Sequence, residues 1–92
     1  MSSQSVDPRT GLAFGPVIPD STPEEVRDVC ARAKAANSAW SSLSKPDRAR
    51  MLRAAADALD AAGEQLIPLA DSESGLGIPR LTGELARTTF QI

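Results

Sequence analysis

Apolar side chains recur at alternating steps of three and four along most of the chain after residue 22, a spacing that predicts amphipathic helices. The first apolar stripe consists of Val26, Val29, Ala33, Ala36 and Trp40. Before it, Thr22 can cap a helix, Pro23 suits the first helical position, and Glu25 completes a capping box. The pattern predicts a first helix that begins at Pro23 and ends near Trp40.

A second helix is predicted after the short polar connector at residues 41–44. Ser44 is expected to cap it, with Asp47 in the position that closes a capping box. Gly63 is expected to end it, because glycine readily adopts the left-handed conformation that terminates helices. Its buried face is predicted to comprise Met51, Leu52, Ala55, Leu59 and Ala62.

Two more helices complete the predicted helical region. The third extends from about Glu64 to Ser74, where Gly75 ends it. Pro68 is tolerable there because it lies near the first turn, where few main-chain donors need partners inside the helix. The fourth is opened by Pro79, and its apolar stripe consists of Ile78, Leu81, Leu85, Thr88 and Ile92.

The first twenty residues follow a different pattern. Residues 7–11, with the sequence DPRTG, have the proline and glycine placement of a tight turn. Residues 12–19 are apolar but are interrupted by Gly15, Pro16 and Pro19, which favours an edge strand over a central one. We therefore expect residues 1–21 to form an extended arm or hairpin, and residues 22–92 to be helical, so that the isolated chain is mainly α.

Composition limits how large a core this chain can build. It has 92 residues, enough for one domain at most, and 41% of them are hydrophobic. Many of these are alanines, and the aromatic residues are only Phe14, Trp40 and Phe90. Because alanine buries little apolar area, we expect the helices to need a further surface to pack on.

Charge and residue types exclude several classes of function. The net charge is −2, with no basic stripe, which argues against a nucleic-acid partner. No apolar run has the length of a signal peptide or a membrane span, so a cytoplasmic protein without a membrane partner is expected. The chain contains no His, and Cys30 is its single cysteine. These absences exclude Ser-His or Cys-His pairs, imidazole metal sites and intrachain disulfides.

Three local features resemble functional motifs but have simpler explanations. Residues 75–79, with the sequence GLGIP, begin like a dinucleotide-binding turn, but a helix precedes them and Arg80 replaces the third glycine. Asp71 and Ser72 resemble a phosphopantetheine attachment site, yet they close a helix instead of opening one. Cys30 lies beside Val29 within the first helix, where we expect it to pack as a small apolar side chain.

The charged pairs also have structural explanations. Glu24 and Glu25 are adjacent, so they do not face each other, and acidic residues in a first turn favour the helix dipole. Arg80, Glu84 and Arg87 are spaced as a surface ion-pair ladder on the fourth helix. A docking face for further protein is the open alternative for this triplet.

Three stretches together resemble the aldehyde dehydrogenase family. VDPRTGLAFGPVIPDSTPEEV is similar to the start of such enzymes, and ANSAWSSLSKPDRARMLRAAADAL to the segment that follows. ADSESGLGIPRLTGELARTTFQI resembles a branch that includes the α-ketoglutarate semialdehyde (2,5-dioxovalerate) dehydrogenases and NADP-linked fatty aldehyde dehydrogenases. The sequence departs from that branch at Ser74, Leu85 and Phe90, where Thr, Arg and Gly are usual.

The resemblance implies an N-terminal segment of a longer α/β enzyme with a Rossmann-like domain that binds NAD or NADP. The nucleophilic Cys and the Glu that activates water would lie downstream, so no residue here inherits a catalytic, cofactor-binding or metal-binding role. The implied partner is the remainder of the dehydrogenase chain, in a family that is usually homo-oligomeric. We expect the polypeptide to continue beyond Ile92 and this part to be inactive alone. The alternative is a free-standing helical module that binds a partner helix or dimerises.

Overall fold

The computed structural model describes all 92 residues as a β-hairpin followed by four helices. The strands are β1 (Ser2–Val6) and β2 (Ala13–Pro19). The helices are α1 (Pro23–Ser42), α2 (Lys45–Ala61), α3 (Gly63–Ser74) and α4 (Ile78–Gln91). The mainly helical class of the isolated chain is confirmed, and each of the four predicted helices is present.

In the hairpin, β1 pairs with β2 in antiparallel orientation, and together they form the predicted N-terminal arm. Its register places Ser2 opposite Pro19 and Val6 opposite Ala13, with an irregularity between Ser3 and Ser5. The predicted tight turn is confirmed. The Gly11 amide donates to the Asp7 carbonyl at 2.8 Å, with Gly11 in the left-handed region at a φ of 71°. Glycine pays no steric cost for that conformation.

Local polar signals determine where the first two helices begin. Thr22 accepts a hydrogen bond from the Glu25 amide at 3.1 Å, and its own amide donates to the Glu25 carboxylate at 2.7 Å. The predicted capping box is therefore confirmed at α1. At α2 only half of a box forms, because Ser44 accepts from the Asp47 amide while the Asp47 carboxylate instead pairs with Arg50.

The predicted stop of the second helix near Gly63 is confirmed to within two residues, but Gly63 does not adopt the left-handed conformation. Helix α2 ends at Ala61, and Gly63 is the first residue of α3 and the one buried residue of the chain. A Cβ atom at this position would lie 3.0 Å from Leu85 Cδ2, so the missing side chain gives α4 room to approach. At the other end of α3, Gly75 adopts a φ of 68° and terminates the helix as predicted.

The helices form a thin layer without a buried apolar core. Helices α2, α3 and α4 contact one another, whereas α1 makes no extensive contact with another element. No hydrophobic side chain is buried, and the Cα atoms extend over 49 × 36 × 15 Å. The predicted stripe of α1 lies open, with Val26 53% and Val29 55% exposed. The alanine-rich composition predicted a limited core, and the chain by itself contains no buried hydrophobic side chain at all. None of the helices is both long and apolar enough to cross a bilayer.

Candidate functional site

The turn between α3 and α4 is the most highly connected polar site of the molecule. Its centre is Asp71, whose main-chain carbonyl accepts from the Gly75 amide at 2.8 Å. The Asp71 carboxylate accepts from the Gly77 amide, also at 2.8 Å. Because both bonds end on one residue, Asp71 joins the last turn of α3 to the residue that precedes α4.

The β-hairpin is attached to this same residue through Arg9. Arg9 Nη2 lies 2.7 Å from Asp71 Oδ1, and Arg9 Nη1 donates to the Asp71 carbonyl at 3.1 Å. The hydrogen bond from Arg9 lowers the pKa of Asp71, and the same bond raises the pKa of Arg9. A second contact lies nearby, where Ser5 Oγ donates to Glu73 Oε1 at 2.6 Å.

We call this set of contacts the hairpin junction. Pro8 belongs to it too, since it lies against Gly75. The junction comprises three hairpin residues, two residues at the end of α3 and two glycines of the turn after it: Ser5, Pro8, Arg9, Asp71, Glu73, Gly75 and Gly77. Sequence reasoning did not find it, since Arg9 and Asp71 are 62 positions apart. The only local signals were the polar turn at residues 7–11 and the glycines after α3. Neither signal indicates that these two segments contact each other.

The geometry of the α3–α4 turn does not suit the pyrophosphate of a dinucleotide. Such turns follow a strand and offer free main-chain N–H groups at a helix N-terminus. Here the turn follows helix α3, and the Gly77 N–H already donates to Asp71. The Asp71 carboxylate thus takes up a main-chain N–H group that a phosphate would need.

The other residues that the sequence analysis considered as functional sites, Ser72 and Cys30, lie on different helices. Ser72 lies in the last turn of α3, and its hydroxyl donates to the Pro68 carbonyl at 3.1 Å. Cys30 is exposed on α1, so the prediction that it packs as an apolar side chain is wrong. The reason is that no neighbouring helix covers α1. No three His, Cys, Asp or Glu side chains lie close enough together to hold a metal ion.

The charged residues on the helix surfaces form weak local pairs. Glu24 pairs with Arg27 at 2.7 Å, whereas Glu25 is engaged in the cap, so the two carboxylates act separately as expected. On α4, Arg80 and Glu84 are 3.8 Å apart, and Arg87 has no ion-pair partner. The predicted ladder therefore forms only in part, and exposed pairs of this kind stabilise little.

An apolar groove runs between α3 and α4. It is open, has a volume of about 190 Å³, and is lined by Leu66, Ile67, Ala70, Leu81, Glu84, Leu85 and Thr88. Leu81, Leu85 and Thr88 in this lining belong to the apolar stripe that the sequence predicted for the fourth helix. The groove has one charged side chain and offers no pair of groups for acid–base chemistry, so its geometry favours packing over catalysis.

Comparison with known proteins agrees with the sequence resemblance. The sequence model of the aldehyde dehydrogenase family matches residues 2–92. The chain is 41% identical over 81 residues to the NADP-dependent glyceraldehyde-3-phosphate dehydrogenase of Streptococcus equinus, which covers 88% of this chain and 17% of that protein. It is 34% identical over 90 residues to alpha-ketoglutaric semialdehyde dehydrogenase 2 of Azospirillum brasilense, which covers 97% of this chain and 17% of that protein. No solved structure matches the chain significantly.

Proposed function

Because the chain belongs to the aldehyde dehydrogenase family, we propose that it serves as the N-terminal segment of an enzyme that oxidises an aldehyde to a carboxylate. NAD or NADP would be the oxidant, bound by the remainder of the enzyme. The proposed substrate is α-ketoglutarate semialdehyde, which the name of the Azospirillum relative contains. The name of the Streptococcus relative contains glyceraldehyde-3-phosphate, which is therefore the competing substrate. The same name contains NADP, which is therefore a candidate cofactor.

One observation carries this proposal. The family match runs from residue 2 to residue 92, yet the chain spans only 17% of the length of each relative and buries no hydrophobic side chain. Exposed apolar stripes and an open groove are what a scaffolding segment presents before the rest of its domain covers it. We infer that residues 22–92 form part of a larger cofactor-binding domain.

The proposal assigns no catalytic step to this chain. Cys30 has no imidazole to activate it, since the sequence contains no His, and the α3–α4 turn is filled by Asp71. Hydride acceptance from the aldehyde is the chemistry that NAD or NADP would supply when bound by the remainder of the enzyme. The residues described here would support that domain through packing.

Two chimaeras test the proposal. Residues 2–92 replace the matched segment of the Azospirillum relative in one and of the Streptococcus relative in the other. Each chimaera is assayed with the aldehyde substrate for which its parent enzyme is named, and with either NAD⁺ or NADP⁺. The assay measures the absorbance of the reduced nicotinamide. We expect both chimaeras to be active, and the isolated 92-residue chain and the relatives lacking their segment to be inactive.

Soluble chimaeras with the parental assembly size but no activity would contradict the proposed scaffold role. Reduction of nicotinamide by the isolated chain would contradict the assignment of catalysis to the remainder of the enzyme. The alternative of a free-standing interaction module is favoured by the open stripe of α1, where Val26 and Val29 lie exposed. The unfolding behaviour of the isolated chain distinguishes these two functions.

A further inference from the structure

The position of α1 depends on very few contacts. It makes no extensive contact with α2, α3 or α4, and its C-terminal end continues directly into the short connection to α2. There, Arg48 Nη1 donates to the Ser41 carbonyl at 3.4 Å, a long bond. At its N-terminal end α1 is joined to the hairpin through residues 20–22. The helix is therefore held at its two ends and is uncovered between them.

The hairpin, in turn, is held by the hairpin junction. Among strand–helix pairs, β1 and α3 make the main contact, and it is small. Phe14 is half-buried, whereas four other large apolar side chains of the hairpin are exposed and contribute no buried interface: Val6, Leu12, Val17 and Ile18. The attachment consists of the Arg9 and Ser5 hydrogen bonds and the close approach of Pro8 to Gly75.

The junction thus closes a ring in the chain. Starting at Arg9, the polypeptide passes through β2, α1, α2 and α3 and returns to Arg9 at Asp71. Two bonds from one guanidinium to one residue fix both distance and direction, as a single ammonium contact would not. Yet the Arg9 and Asp71 side chains are 47% and 21% exposed, so water and salt can compete for the pair.

We propose that Arg9 and Asp71 form a releasable latch that closes this ring and sets the position of α1. When the latch is closed, the hairpin lies on the α3–α4 turn and α1 has one orientation. When it opens, the hairpin and α1 swing together about the α1–α2 connection, while α2, α3 and α4 keep their mutual contacts. This inference concerns the chain itself and does not depend on the proposed enzymatic function.

The latch can be tested with two spin labels in the full 92-residue chain. Native Cys30 on α1 is the chain's single cysteine and is exposed, so it takes one label directly. Arg87→Cys places the second on α4, at a position without an ion-pair partner. Pulsed electron resonance then measures the distance distribution between α1 and α4. We expect the labelled parent to show a main population at the α1–α4 distance of the structure, together with a broad background from the low cooperative stability of the chain.

Arg9→Gln removes the latch and retains a polar side chain. We expect the population outside the parent distribution to rise about tenfold, the scale expected for losing a charge-assisted hydrogen bond. Arg32→Gln is the matched control, since it removes the same charge from a pair with Asp28 within α1. It should leave the distribution unchanged, and Arg9→Lys should restore it only in part.

Salt provides a test that needs no latch mutation. Raising the ionic strength should broaden the distribution of the labelled parent and leave Arg9→Gln unaffected, because only the parent has a pair to screen. Circular dichroism checks that helix content is equal in all variants. The proposal would be overturned if the distance distribution of the labelled parent were as broad as that of Arg9→Gln. It would also be overturned if the distributions of both proteins were equally narrow.

Discussion

Gly75 and Gly11 have nearly the same left-handed backbone, with φ of 68° and 71°, but their surroundings differ. A Cβ atom on Gly75 would lie 3.1 Å from Pro8 Cγ, whereas one on Gly11 would meet nothing within 4 Å. Gly11→Ala should therefore cost about 1 kcal/mol through backbone strain alone. Gly75→Ala should cost about 1 kcal/mol more, because it also pushes the hairpin away. The comparison is made by hydrogen exchange of the amides at positions 11 and 75, which bond to the Asp7 and Asp71 carbonyls and report each local opening free energy, and equal costs would contradict the Pro8 contact.

Asp71 makes the hairpin junction sensitive to acid. Its pKa is lowered first by the Arg9 hydrogen bond and further by the Gly77 amide, against the opposing effect of desolvation. A carboxyl with a lowered pKa stabilises the folded arrangement above the range of free aspartate, about pH 4, and this contribution is lost as pH falls through the lowered value.

We therefore expect the Gly77 amide resonance to shift, and its hydrogen exchange to accelerate beyond the intrinsic pH trend, as the pH falls below about 4. Asp71→Asn is the control, because its side-chain oxygen can still accept from Gly77 while the titrating group is gone. The variant should show neither change in this pH range. A Gly77 transition that persists in Asp71→Asn would assign the effect to another group.

Among the elements, α1 is the one whose stability depends most on its own sequence, because no other helix covers it. Thr22→Ala removes one bond of the capping box, and about 1 kcal/mol of helix stability should be lost with it. The first turn of α1 should then fray, which the Cα chemical shifts of residues 23–26 report. Ser21→Ala is the matched control, as the Ser21 side chain makes no hydrogen bond to the helix start. Equal fraying in the two variants would show that the box is unimportant.

The elements could be predicted from sequence where their signals are local. The cap at Thr22, the stop at Gly75 and the turn before Gly11 each depend on neighbours within a few positions, and each is present in the structure. The close approach of Leu85 to Gly63 could not be predicted, because Leu85 lies on another helix. The Arg9–Asp71 pair is of the same kind, since residues 62 positions apart leave no periodic signal in one sequence.

The whole molecule is a layer with one small contact cluster, at α2, α3 and α4, and a hairpin and helix attached at its edges. Cooperative unfolding requires that the loss of one element weakens the others through shared buried surface. Here no hydrophobic side chain is buried, so that coupling is small. Each element should then unfold according to its own local stability.

We therefore expect the isolated chain to show weak helicity and a broad thermal transition by circular dichroism. A dye that binds exposed apolar surface should become fluorescent with the isolated chain, because the α1 stripe and the α3–α4 groove are open. In the chimaeras, these surfaces would be covered by the rest of the enzyme, and residues 2–92 should unfold together with it. A sharp, concentration-independent transition of the isolated chain as a monomer would instead favour the free-standing module, since independent cooperativity requires a core that the proposed scaffold segment lacks.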